Sequence, residues 1–173
     1  MPTLALLNSS DRAAFTAALG HLFEHSPWVA EETWPKRSFA SAEALHAALC
    51  ATMRTAPQDR QLALIRAHPD LAGRLAQQKQ LTTESTREQA SAGLDQLTDA
   101  ELAEFTRQND AYKTKFGFPF IICARLNAKA AILTAMQTRG GNPPDTEFTT
   151  ALGEIQKIAW LRLQDDLGTT KPH

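Results

Sequence analysis

Charge of one sign, cysteine and long apolar runs are all scarce in this 173-residue chain. Its 18 lysines and arginines face 19 aspartates and glutamates, a formal net charge of −1. No basic run is present to track a phosphate backbone, so nucleic acid is not an expected partner. The two cysteines, Cys50 and Cys123, lie far apart and match no metal spacing. They read as reduced thiols of a cytoplasmic protein, not as a disulfide framework. No segment approaches the roughly 20 apolar residues that span a bilayer, so no membrane partner is expected. The opening MPTLALLNSSD lacks the positive region of a secretory signal, and the closing TTKPH is not an SKL-type peroxisomal address. Glycine-rich phosphate loops, a G-x-S-x-G elbow and a Cys–His nucleophile signature are missing too.

What is present is helix grammar. At 43% hydrophobic content, 173 residues suffice for one domain, 1–173, with a sizeable core. Asn8, Ser9 and Ser10 offer caps for a helix through Phe15, Leu19 and Leu22. Ser26-Pro27 opens a short helix over 28–34. Ser41 caps a segment with Leu45 and Leu49 at helical spacing. Pro57 starts a helix that must end near Ala67, because Pro69 disfavours helical geometry at His68. A short helical turn is expected over 71–75, and a helix from Thr83 to Ala92 stopped by Gly93. Thr98 and Glu101 form a capping box ahead of a long helix to Phe116, which Gly117 ends. Asn127 caps a helix over 128–138, and a last helix runs from about Asp145 to Leu167. The expected fold is all-α, a single compact bundle of about eight helices.

FGFPFIICAR, residues 116–125, is the exception. Pro119 forbids an ordinary helix, and the aromatic and β-branched neighbours predict a buried, extended connector. Its backbone N–H and C=O groups need partners outside a helix. Neighbouring loops, water or a bound ligand would each serve.

Several residues could carry chemistry. His68 opens the run HPDLAG, and an imidazole is the one side chain whose ordinary pKa, about 6.5, suits proton transfer near neutrality. Ser85, Glu88 and Gln89 share a helical face at i, i+3 and i+4, suited to a small molecule rich in N–H and C=O groups. Ser85 and Glu88 equally fit a capping box. Arg162, flanked by Leu161 and Leu163, calls for a carboxylate or a ligand anion. It could instead snorkel, or pair with Asp165 or Asp166; Arg125 poses the same question. His21 and His25 sit at i, i+4 but lack a third ligand of known signature, so no metal site is expected.

Together the ordered motifs resemble one family. HPDLAG at 68–73, S-x-x-EQ-x-x-AGL at 85–94, N-x-x-Y-x-x-x-FGFPFI at 109–121 and RL at 162–163 look like the OHCU decarboxylases. These act on 2-oxo-4-hydroxy-4-carboxy-5-ureidoimidazoline, the last intermediate from urate to (S)-allantoin. The resemblance implies an all-helical fold and a cofactor-free carboxy-lyase acting on that ureidoimidazoline. His68 matches the family's proton donor, and Glu88 is grouped with it in catalysis. Pro69, Ser85, Gln89, the segment Phe120, Ile121, Ile122, Cys123 and Ala124, and Arg162 match substrate contacts. A homodimer is expected, and the alanine-rich helices fit a bacterial origin.

Overall fold

A computed structural model of the chain describes residues 2–73 and 78–169. Among them are nine α-helices and no strand. The chain divides into two compact units, Met1–Ala67 with Gln156–His173, and His68–Ile155. No helix among the described residues is long and apolar enough to cross a membrane.

The first unit contains α1 (Leu4–Ser9), α2 (Arg12–Leu19), α3 (Trp28–Thr33), α4 (Ala42–Thr55), α5 (Gln58–Ala67) and the end of the last helix. Each of the first, second and fourth has a side-chain cap. Thr3, Asp11 and Ser41 accept the Leu6, Ala14 and Ala44 N–H groups. Helix α1 is unforeseen by the sequence pattern, and it displaces the expected cap of α2 from residues 8–10 to Asp11. The Asn8 amide goes instead to the Phe39 backbone, donating to its C=O at 2.9 Å and accepting its N–H at 2.8 Å. Phe15, Leu19, Leu45, Leu49, Met53 and Ile65 are fully buried here, each contributing about 1.5–3 kcal/mol by leaving water.

The second unit contains α6 (Thr83–Ser91), α7 (Asp99–Phe116), α8 (Lys129–Arg139) and the start of α9 (Pro144–Asp166). The Thr98–Glu101 capping box forms at the head of α7, and Gly117, at φ 75°, ends it in the left-handed region that glycine tolerates. Asn127 does not cap α8: Ala128 stands at that position, and the Asn127 amide donates to the Cys123 carbonyl at 2.9 Å. The turn expected over 71–75 lies partly outside the described residues; Leu71 and Ala72 form a turn. The core of this unit includes Phe105, Phe120, Ile132, Met136, Leu152 and Ile155.

Candidate active site

Helix α5 stops at Ala67, as Pro69 requires, and His68 leaves helical geometry with 8% of its surface exposed. The loop it opens is held from several sides. The Ala72 N–H donates to Gln89 Oε1 at 2.9 Å, and Gln89 Nε2 donates to the Asp70 carbonyl at 3.3 Å. Asn109 Nδ2 donates to the Leu71 carbonyl at 2.9 Å. Lys113 Nζ meets Asp70 Oδ2 at 2.6 Å. Ala72 itself is left-handed, at φ 51°, an uncommon conformation for a residue with a Cβ.

Helix α6 supplies the polar face. Its cap is Thr82, whose hydroxyl accepts the Ser85 N–H at 3.2 Å. Ser85 therefore sits inside the first turn and makes no capping box with Glu88. Ser85 and Gln89 are buried on one face, and Glu88 is half-buried between them. Gln89 spends one acceptor and one donor on the loop, and a primary amide retains one of each. A cavity of about 500 Å³ beside this helix is lined by Gln89 with Leu81, Leu94 and Leu102; of the predicted site residues, only Gln89 is in its wall.

The connector has no regular secondary structure from Pro119 through Cys123, which is extended, and it is buried from Phe118 through Ala124. Protein side chains take much of its backbone. Arg139 Nη1 donates to the Ile121 carbonyl at 2.8 Å, and the Cys123 N–H donates to Glu154 Oε2 at 2.8 Å. The Ile122 N–H and C=O find no partner among the described residues. Helix α6 packs on the 3₁₀ turn Ala124–Leu126 that ends the connector. Burial, followed by the Glu154 and Glu88 carboxylates, pushes the Cys123 thiol up to about 11. The charge of Glu88 is thus felt at the connector.

A buried network fixes the connector from below. Glu147, fully buried, accepts from the Tyr112 hydroxyl, from Arg139 Nη2 at 2.9 Å and from Asn142 Nδ2 at 2.7 Å. Burial alone would raise its pKa. The Arg139, Tyr112 and Asn142 hydrogen bonds outweigh burial and hold the carboxyl below the usual range. Burial and the Glu147 carboxylate push the Tyr112 phenol well up. The Arg139 guanidinium also lies 4.3 Å from the centre of the Phe120 ring, a cation–π contact.

Arg162 belongs to the first unit. It is 4% exposed, with Nη2 on Glu24 Oε2 at 3.0 Å and Nη1 on the His21 carbonyl at 3.1 Å. Glu24 is thus a carboxylate that it meets, whereas Asp166 takes His21 at 3.1 Å.

Residues 8–164 match the family model described as OHCU decarboxylase. The chain belongs to the OHCU decarboxylase family. A relative named as that decarboxylase in Halalkalicoccus jeotgali is 44% identical over 94% of this chain and 90% of its own length. A mouse protein of the same name is 40% identical over 94% of this chain and 91% of its own. A solved (S)-allantoin synthase superposes with a TM-score of 0.76 at 33% identity, over 96% of this chain and 54% of that one. The two named relatives are archaeal and animal, and give the expected bacterial origin no support.

Of the residues predicted for the decarboxylase site, the second unit gathers His68, Pro69, Ser85, Glu88, Gln89 and Phe120–Ala124 on three segments linked through α6 and α7. Asn109, Arg139, Glu147 and Glu154, which hold two of those segments in place, escaped notice. Only Asn109 had a signal, as the first residue of the N-x-x-Y motif. The others stand at ordinary helical positions, where pattern alone reads a solvated charge.

Proposed function

We propose that this OHCU decarboxylase converts 2-oxo-4-hydroxy-4-carboxy-5-ureidoimidazoline to (S)-allantoin and CO2, with His68 as the proton donor. The observation that carries this reading is the tethering of the His68 loop to α6 through Gln89, with α6 in turn packed on the connector. Those three segments hold an acid–base group, a carboxylate, a hydroxyl and an unspent backbone edge.

The chemistry asks for little more. The substrate carbon that loses CO2 also bears a hydroxyl and adjoins a ring C=N. As the C–CO2 bond breaks, its electron pair becomes the C=C of an enol, and the C=N pair moves to the ring nitrogen, which takes a proton. The enol then collapses to a carbonyl while the ureido-bearing carbon takes a proton from one face. The conjugated ring is the electron sink, so the reading includes no metal and no organic cofactor. A fixed acid on one side is the minimum for a single enantiomer, and general acid–base help is typically worth about 10²–10⁴-fold. Glu88 holds the imidazole in its productive state; Ser85, the free half of the Gln89 amide and the Ile122 backbone read the ring and ureido groups. Pro69 and the rest of Phe120–Ala124 shape the wall. Arg162 is assigned to substrate binding on its family position alone.

The reading further takes residues 1–173 as one functional domain, working as a homodimer in the cytoplasm. The two free, buried thiols suit a reducing compartment. The test is circular-dichroism detection of (S)-allantoin from freshly generated substrate. Wild type should form it with an enantiomeric excess, and His68→Asn should not. Wild-type (S)-allantoin formation by His68→Asn removes His68 from the role of acid.

A further inference from the structure

Helix α7 carries two buried polar side chains one turn apart, Asn109 and Tyr112, each 3% exposed. Residues at i and i+3 share a face, with Cβ atoms about 5–6 Å apart. From that single turn the two reach different segments. Asn109 donates to the Leu71 carbonyl, in the loop that His68 opens. Tyr112 donates to Glu147, Glu147 holds Arg139, and Arg139 donates to the Ile121 carbonyl beside the unspent Ile122 backbone.

Building on the decarboxylase reading, we infer that this turn of α7 sets the distance between the proton donor and the substrate-reading connector. Asn109 is a positioning residue for His68, and Arg139, set by Tyr112 and Glu147, is a positioning residue for the connector. Stability alone does not explain Asn109. Its Oδ1 is buried with no partner among the described residues, and an orphaned buried acceptor is unfavourable. A leucine of similar shape would remove that orphan and leave another at the Leu71 carbonyl, an even exchange. What leucine would lose is the directional bond that fixes the loop.

The two arms predict different kinetic signatures. Asn109→Leu should keep its melting temperature near wild type and its allantoin Kd unchanged. Its kcat should fall roughly tenfold to a hundredfold, the scale of misplacing a catalytic group by about 1 Å, and the enantiomeric excess should fall with it. Arg139→Met should raise KM and the allantoin Kd about tenfold or more on the same argument, with kcat less affected. Arg139→Lys, which keeps the charge beside Glu147, should recover part of that loss and remains informative if the methionine variant does not fold. Loss of kcat and affinity in equal proportion in both arms overturns the inference, as does wild-type kinetics in Asn109→Leu or Arg139→Lys. The His68→Asn control separates the readings. If that variant keeps its stereoselective activity, the proton-donor reading fails. If it is inactive while Asn109→Leu is unimpaired, only the present inference fails.

Discussion

Gln89 grips Ala72 and Asp70 at once, its Oε1 accepting the Ala72 N–H at 2.9 Å and its Nε2 donating to the Asp70 carbonyl at 3.3 Å. The amide expected to read substrate is thus also the clasp of the loop that presents His68. Gln89→Ala would take the Gln89 acceptor from the buried Ala72 N–H, at a cost of about 1–3 kcal/mol. For a chain of this size that corresponds to a melting-temperature drop of roughly 2–12 °C. Activity should fall by more than the unfolded fraction accounts for, because the loop loses its clasp in molecules that remain folded. Calorimetry alongside the allantoin assay checks both; an unchanged melting temperature shows that the clasp carries no stability.

Ala72 gives a sharper test of the same loop. It holds φ 51° with a Cβ in place, a strain of about 1–2 kcal/mol that glycine would not feel. Glycine loses more chain entropy on folding, about 0.5–1 kcal/mol, so Ala72→Gly should be neutral or slightly stabilising. The bond to Gln89 uses the backbone N–H and survives the change, so activity should survive as well. Ala72→Val puts a β-branched residue in the same conformation and should destabilise far more. Equal effects of the two substitutions in thermal unfolding would show that the left-handed backbone is not retained in solution.

Much of this architecture is legible in the sequence, because local rules write it there. Pro69 ends α5, Ser41 and Thr98 cap α4 and α7, and Gly117 turns α7 into the connector through physics that needs only neighbouring residues. The site's three segments are legible for the same reason, as each is a contiguous motif. What escaped depends on tertiary partners. Asn127 has cap chemistry but spends it on the Cys123 carbonyl, and Ala128 caps α8 with no side-chain bond. Glu147 resembles any acidic residue in a first helical turn, where the helix dipole favours it, yet it is wholly buried under Tyr112 and Arg139. Ser85 and Glu88 have capping-box spacing, and a threonine three residues before Ser85 takes the cap instead.

The thiols predict behaviour at high pH. Burial, as the largest cause, pushes both Cys50 and Cys123 up to about 11 from an ordinary value of 9.0. A pKa raised by folding means that the native state holds the proton more tightly than the unfolded chain. The stability this represents is fully present below pH 9 and is lost as pH rises through about 11. Melting temperature should therefore decline across that window, and the slope should be shallower in a Cys50→Ala/Cys123→Ala variant, whatever its stability at pH 8. At neutral pH neither thiol is ionised, so iodoacetamide should label both only after unfolding. Rapid labelling of native protein at pH 7.5, read by mass spectrometry, would contradict the burial assigned to them.

Arg162 and Glu24 allow structural and functional roles to be separated. They form an ion pair at 3.0 Å with 4% and 2% side-chain exposure, and Arg162 also donates to the His21 carbonyl. Removing one partner of such a pair strands a buried charge, at about 3–5 kcal/mol, whereas replacing both with well-packed apolar residues is often neutral or stabilising. Glu24→Ala should therefore lower the melting temperature strongly, and Glu24→Leu/Arg162→Met should restore most of it. That folded double variant tests the substrate role assigned to Arg162. A guanidinium that binds the ureidoimidazoline leaves the double variant stable but weak in KM and in allantoin affinity. If the double variant is stable and binds allantoin as wild type does, Arg162 is a structural partner of Glu24 and nothing more.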